Sequence, residues 1–141
     1  MNAISKSLKP KSDQKVFFSY IAYDNQVFGD NSRESLKDYL RKEFTLITGI
    51  ANPKPLVKFL RKNEGNFNHI SFSDHHNFTD KELERIAEED RILTTEKDFM
   101  RLRNIVSLKN KLMYLPIRCA FIEKGKEFDD TIQSYVKNKT S

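Results

Sequence analysis

Asp74, His75 and His76 are consecutive within ISFSDHHNFTDKEL (70–83), between a short apolar run and a helix start. The chain holds only three histidines, so two side by side next to an acid call for a chemical reading. Metal ligation requires three or four converging N, S or O donors. Asp13, Asp24, Asp30 and Asp38 are scattered upstream and supply no second ligand motif, which disfavours a metal-dependent phosphoesterase and leaves no metal site expected. Proton transfer fits better, because an imidazole titrates near neutral pH and an adjacent carboxylate fixes its tautomer or raises its pKa. Spacing alone does not choose between His75 and His76, and a surface loop of no chemical consequence is the plain alternative.

Two other short stretches have the same character. TGIANP (48–53) contains Gly49, Asn52 and Pro53, which turn geometry alone explains. TTEKD (94–98) places Thr95 and Asp98 at capping-box spacing, leaving Glu96 and Lys97 either solvated or paired with each other. Each of the three stretches follows a strand candidate and precedes a helix candidate.

The elements that must carry these turns are regular from Phe44 onward. FTLITGI reads as a strand, and NPKPLVKFLRKNEG as a helix with Asn52 as N-cap, Pro53 at the first helical position and Gly65 just past the end. NHISFS reads as a second strand. FTDKEL then starts a helix over about 80–89, with Thr79 and Glu82 as a capping box and Phe78 and Leu83 as a hydrophobic staple. RILTT and a short helix with Phe99 and Leu102 inward repeat the design. KLMYLPIRCAFI offers one or two strands around Pro116, and DDTIQSYVKNK closes with an amphipathic helix bearing Ile132, Tyr135 and Val136.

Upstream, residues 1–15 read as a flexible basic lead-in containing Lys6, Lys9, Lys11 and Lys15, and residues 16–43 as a β-ribbon (16–29) with a connector or short helix. Strands alternating with helices over 44–138 imply an open, mostly parallel α/β sheet with helices on both faces. In such a sheet all three polar turns lie on the carboxyl edge and form one candidate site. Helix N-termini there offer N–H groups suited to a phosphate or carboxylate.

A net charge of +5 permits anionic partners and selects none. Nucleic acid is not expected, since no arginine-glycine run or aromatic RNA-binding signature accompanies the cations. No stretch approaches the roughly 20 apolar residues of a membrane span. The single cysteine, Cys119, sits in an apolar run and reads as a small core residue in a reducing compartment.

LITGIANPKPLVKFL, FSDHHNFTDKEL and ILTTEKDFMRL, in that order and preceded by QKVFFSYIAYD, resemble the carboxyl-terminal half of the tetraacyldisaccharide 4'-kinases, the lipid A kinases of Gram-negative bacteria. The resemblance runs from about Gln14 to Val136 and implies the carboxyl-terminal lobe of a P-loop-like kinase. Such an enzyme moves the γ-phosphoryl group of ATP, with Mg²⁺, to the 4'-hydroxyl of a lipid A disaccharide precursor at the cytoplasmic face of the inner membrane. It further implies that His75, flanked by Asp74 and His76, works with an acidic residue of the other half to activate the sugar hydroxyl. His76, Asn52, Glu96 and Lys97 become candidates that face substrate or nucleotide.

The departure from the family pattern is the absence of any G-x-x-x-x-G-K-[ST] run; Gly29, Gly49, Gly65 and Gly125 cannot make one. The expectation is therefore a carboxyl-terminal portion that folds, binds neither ATP nor Mg²⁺ tightly, and is inactive alone. Lipid and membrane contacts would fall to the other half, and the exposed ribbon would favour an artificial dimer. The competing expectation is an independent module whose carboxyl edge holds an anionic ligand or a protein partner.

Overall fold

A computed structural model of the chain describes residues 7–139. Its elements are β1 (Ser19–Tyr23), β2 (Gln26–Phe28), β3 (Arg33–Ser35), α1 (Leu36–Leu40), β4 (Phe44–Thr48), α2 (Lys54–Lys62), β5 (Phe67–Ser71), α3 (Asp80–Ala87), β6 (Ile92–Thr95), α4 (Glu96–Leu102), a 3-10 turn (Val106–Leu108), β7 (Leu112–Leu115), β8 (Ile117–Phe121) and α5 (Gly125–Lys139). They form two compact units, one spanning residues 23–117 and the other made by the two ends, up to Ala22 and from Arg118.

The larger unit is a six-stranded sheet in the order β3-β2-β7-β6-β4-β5. β7, β6, β4 and β5 are parallel, while β2 runs antiparallel to both β7 and β3. All five residues of β4 are buried, as a central parallel strand covered on both faces requires. Its side chains alternate: Phe44 and Leu46 join Leu36, Leu40, Leu56 and Leu60 on one face, and Ile47 joins Ile86, Phe99 and Leu102 on the other. Helices therefore cover both faces, α1 and α2 on the first, α3 and α4 on the second. The mostly parallel α/β architecture expected from the sequence is the one observed.

Threonines in buried strand positions need partners for their hydroxyls. Thr94 Oγ1 donates to the Ile47 carbonyl at 2.7 Å, Thr48 Oγ1 pairs with His69 Nε2 at 2.9 Å, and Thr45 Oγ1 donates to Glu89.

Helix ends follow local chemistry with two displacements. α3 starts at the expected capping box, both halves of which form. α2 starts at Lys54, with Pro53 as the N-cap residue, so Asn52 sits one position earlier than expected and its Oδ1 accepts from the Lys54 N–H at 3.3 Å. At the other end Glu64, not Gly65, takes the left-handed conformation (φ 64°). The N–H of Gly65 reaches Leu60 O at 3.0 Å and that of Glu64 reaches Arg61 O at 3.1 Å, a Schellman closure. Gly65 is needed for closeness instead: a Cβ there would sit 3.0 Å from Leu60 O and 3.2 Å from Leu40 Cδ2.

The amino-terminal expectations change more. The stretch 16–29 does not pair with itself, because β1 pairs with β8 in a separate two-stranded sheet and β2 joins the main sheet. The expected connector contains β3 and α1. The first six residues of the lead-in lie outside the described residues, and Lys15, at its end, is tied to Glu127 at 3.3 Å. Cys119 is exposed rather than buried, since β8 has one strand neighbour and begins with three exposed residues. Ile132, Tyr135 and Val136 of α5 also remain about half exposed, whereas Phe128 packs edge-on against Phe17 at 5.2 Å.

Candidate functional site

The chain passes from β4 through α2 to β5 on one side, then through α3 and α4 to β6 and β7 on the other, so strand order reverses between β4 and β6. In open α/β sheets the crevice outside the carboxyl ends at such a reversal is where ligands bind. Gly49 leaves β4 at this point, Asp74 lies just beyond β5, and Lys97 and Asp98 open α4.

These three turns touch one another. The Lys97 ammonium donates to the carbonyl of Gly49 and to Oδ1 of Asp74, each at 2.6 Å. Lys97 is therefore paired across two turns and not with its neighbour Glu96. Asp74 in turn accepts the His75 N–H at 3.0 Å through Oδ1, and its Oδ2 lies 3.6 Å from His75 Nε2. The hydrogen bond from Lys97 holds the Asp74 carboxyl below its ordinary pKa, with a smaller contribution from the nearby His75 ring. His75 itself has a left-handed backbone (φ 57°), and its side chain is 87% exposed.

His76 is used differently. Its ring stacks on Phe72 at 4.8 Å, meets Phe78 edge-on at 5.5 Å, and places Nε2 2.9 Å from Glu82 Oε2. Its backbone carbonyl accepts from Arg101, whose guanidinium also lies over the Phe78 ring at 5.2 Å. Two adjacent histidines thus divide into one that points to solvent and one built into the turn. Asn52 and Glu96 stand exposed on the same edge, Asn52 engaged with the Lys54 N–H and Glu96 in the first turn of α4.

Residues 2–137 match the family described as tetraacyldisaccharide-1-P 4'-kinase (LpxK). The chain belongs to this family. It is 40% identical over 137 residues to the tetraacyldisaccharide 4'-kinase of Flavobacterium johnsoniae, covering 95% of this chain and 39% of that protein. Against the tetraacyldisaccharide 4'-kinase of Flavobacterium psychrophilum identity is 33%, covering 99% of this chain and 41% of the relative. The chain thus spans about two fifths of the length of the curated relatives it matches. A crystal structure of the "apo" form of LpxK from Aquifex aeolicus in complex with ATP shares the fold, with a TM-score of 0.52 and 18% identity, covering 84% of this chain and 36% of that one.

In this member of the tetraacyldisaccharide 4'-kinase family, the protein's own side chains take one N–H at the start of each of α3 and α4, where N–H groups were expected to be open to an anion. The Thr79–Glu82 box closes α3, and Thr95 Oγ1 accepts the Asp98 N–H at 3.2 Å at the start of α4. Asp98 does more than its capping position asks. Its carboxylate is fully buried, takes the Thr95 hydroxyl at 2.8 Å, and reaches across the crevice to the Gly49 N–H, also at 2.8 Å. Gly49 has to lack a side chain, because a Cβ would lie 3.0 Å from Asp98 Oδ1. Arg101 stands 3.8 Å from the same carboxylate.

Asp98 and Arg101 are the residues that sequence reasoning missed. Capping accounted for one, and nothing in the spacing marked the other. What gives the pair its place, the burial of Asp98 and the approach of Arg101, is a property of the folded chain and left no signal in the sequence. Among the described residues, no group of three or more His, Cys, Asp or Glu is placed to hold a metal ion.

Proposed function

We propose that this chain acts as the carboxyl-terminal part of a tetraacyldisaccharide 4'-kinase that phosphorylates the 4'-hydroxyl of a lipid A disaccharide precursor with ATP and Mg²⁺. The observation that carries the reading is the exposed His75 ring, set beside an Asp74 carboxylate that Lys97 fixes at the carboxyl edge. An imidazole so placed can take the proton of an attacking hydroxyl. Asp74 orients the ring and stabilises the imidazolium that forms. The acid expected to work with His75 belongs to the rest of the kinase.

The residues present do not fit ATP or Mg²⁺. The sequence has no phosphate-cradling glycine loop, the Gly49 N–H is taken by Asp98, and the described residues offer no metal ligand set. Both groups would be held outside this chain. Asn52, whose Oδ1 takes the Lys54 N–H, and Glu96 are exposed on this edge and stand as candidates to face substrate or nucleotide. No helix among the described residues is long and apolar enough to cross a membrane, and peripheral contact with the cytoplasmic face of the inner membrane falls, in this reading, to the rest of the kinase. Alone, the chain is inactive, and the exposed Tyr20 and Ile21 of the ribbon favour self-association.

The test is a kinase assembled from this chain and the amino-terminal part of the F. johnsoniae relative, assayed on a lipid A disaccharide precursor. His75→Ala lowers turnover by about two to four orders of magnitude, the loss typical of a general acid/base group, with its melting temperature unchanged. Full activity of that variant, or turnover by the 141-residue chain unaided, would overturn the proposal.

A further inference from the structure

His75 is a non-glycine residue in a left-handed conformation, which an L-residue adopts at a cost of roughly 1–2 kcal/mol unless its surroundings hold it there. The surroundings on either side are both gripped by α4. Lys97 holds the side chain of Asp74, the residue before, and Arg101, four positions on and so on the same helix face, holds the backbone carbonyl of His76, the residue after. Each cation is anchored a second time. Lys97 bonds the Gly49 carbonyl at 2.6 Å, and Arg101 lies over Phe78 and 3.8 Å from the buried Asp98. Asp98 itself bonds the Gly49 N–H at 2.8 Å, so both sides of Gly49 are fastened to α4.

We propose that Lys97 and Arg101 are positioning residues, a two-point clamp through which α4 holds the β5–α3 turn and presents His75 in its left-handed conformation. Neither touches the reacting hydroxyl. Both act through the neighbours of His75. The value of this clamp to catalysis rests on the reading of His75 given above, but its existence does not, and the two are tested separately.

In the 141-residue chain, ¹⁵N relaxation and the ¹³Cγ titration of Asp74 are measured for the native protein, Lys97→Met and Lys97→Arg. Lys97→Met is expected to lower the heteronuclear NOE of the 73–76 amides while those of α4 stay rigid, and to raise the Asp74 midpoint. Lys97→Arg, which keeps a cation with two donors, restores both. Unchanged amides and an unchanged Asp74 midpoint in Lys97→Met overturn the clamp, whatever the fate of the kinase reading. Arg101→Met is the second arm, read at the His76 amide, and a rigid turn there likewise counts against it. In the assembled kinase, Lys97→Met lowers kcat at least tenfold with KM unchanged, and Lys97→Arg recovers most of it. A loss confined to KM would make Lys97 a substrate-binding residue and overturn the positioning role.

Discussion

One carboxylate oxygen, Oε2 of Glu82, accepts from the Thr79 N–H at 2.8 Å and the Thr79 hydroxyl at 2.9 Å, and also lies 2.9 Å from the His76 ring. The Thr79 backbone, then the His76 side chain, hold Glu82 at a pKa of about 2, well below its ordinary 4.5. A carboxyl whose folded pKa is depressed binds fewer protons in the folded state, so its contribution is complete above about pH 4.5 and disappears as pH falls towards 2. Comparing Glu82→Gln with the native chain by denaturant unfolding therefore gives a constant stability gap above pH 4.5 that closes progressively below it. A gap that persists at pH 2 would mean that packing, not charge, accounts for Glu82. The same geometry separates the histidines. His76→Ala removes a stacked ring worth about 1 kcal/mol beyond its burial and lowers the melting temperature by several degrees, whereas His75→Ala leaves melting unchanged, since the His75 side chain is 87% exposed and its contact with the Asp74 carboxylate lies at the surface.

At the scale of elements, the close of α2 shows how far local rules reach. Glu64 carries the positive φ and Gly65 supplies the room, the reverse of the usual arrangement. Glu64→Gly relieves roughly 1–2 kcal/mol of left-handed strain and gives back about half of it through the greater entropy of the unfolded chain, a net gain of about 0.5–1 kcal/mol. Gly65→Ala instead drives a methyl against the Leu60 carbonyl at 3.0 Å, a backbone atom that cannot yield, and costs about 1–3 kcal/mol. Chemical denaturation of the two variants decides the matter, and equal effects would refute it. Features of short range were legible in the sequence: the capping box at Thr79 joins residues three apart, and Phe78 and Leu83, expected as a staple, both pack against one core cluster. Asp98 was readable only as a cap, because its other partner, Gly49, is 49 positions away. The pairing of β1 with β8 escaped notice for the same reason, as an exposed two-stranded ribbon leaves no apolar alternation that would name its partner. Convergence of the three turns on one edge could be deduced from topology. Which atoms would meet there could not.

Across the whole molecule, burial is distributed unequally. Among the described residues, the buried hydrophobic ones run from Val27 to Leu115, all within the unit spanning residues 23–117. In the unit made by the chain ends, Phe17, Phe121 and Phe128 pack as a cluster of partly exposed rings, while Tyr20, Ile21, Ile122 and Ile132 stay about half exposed. Burial of apolar surface is the main favourable term in folding, and regions poor in it open at lower free energy than the global unfolding transition. Amide hydrogen exchange should therefore show the strongest protection in β4 and β6, whose residues are buried almost without exception. β1, β8 and α5 should exchange at least tenfold faster under the same conditions. Adding the amino-terminal part of the F. johnsoniae kinase is expected to slow exchange in β1 and β8 if the ribbon's exposed apolar side chains are covered in the assembled enzyme. Uniform protection across both units in the isolated chain would show that the end-built unit is stabilised by something other than its small aromatic cluster.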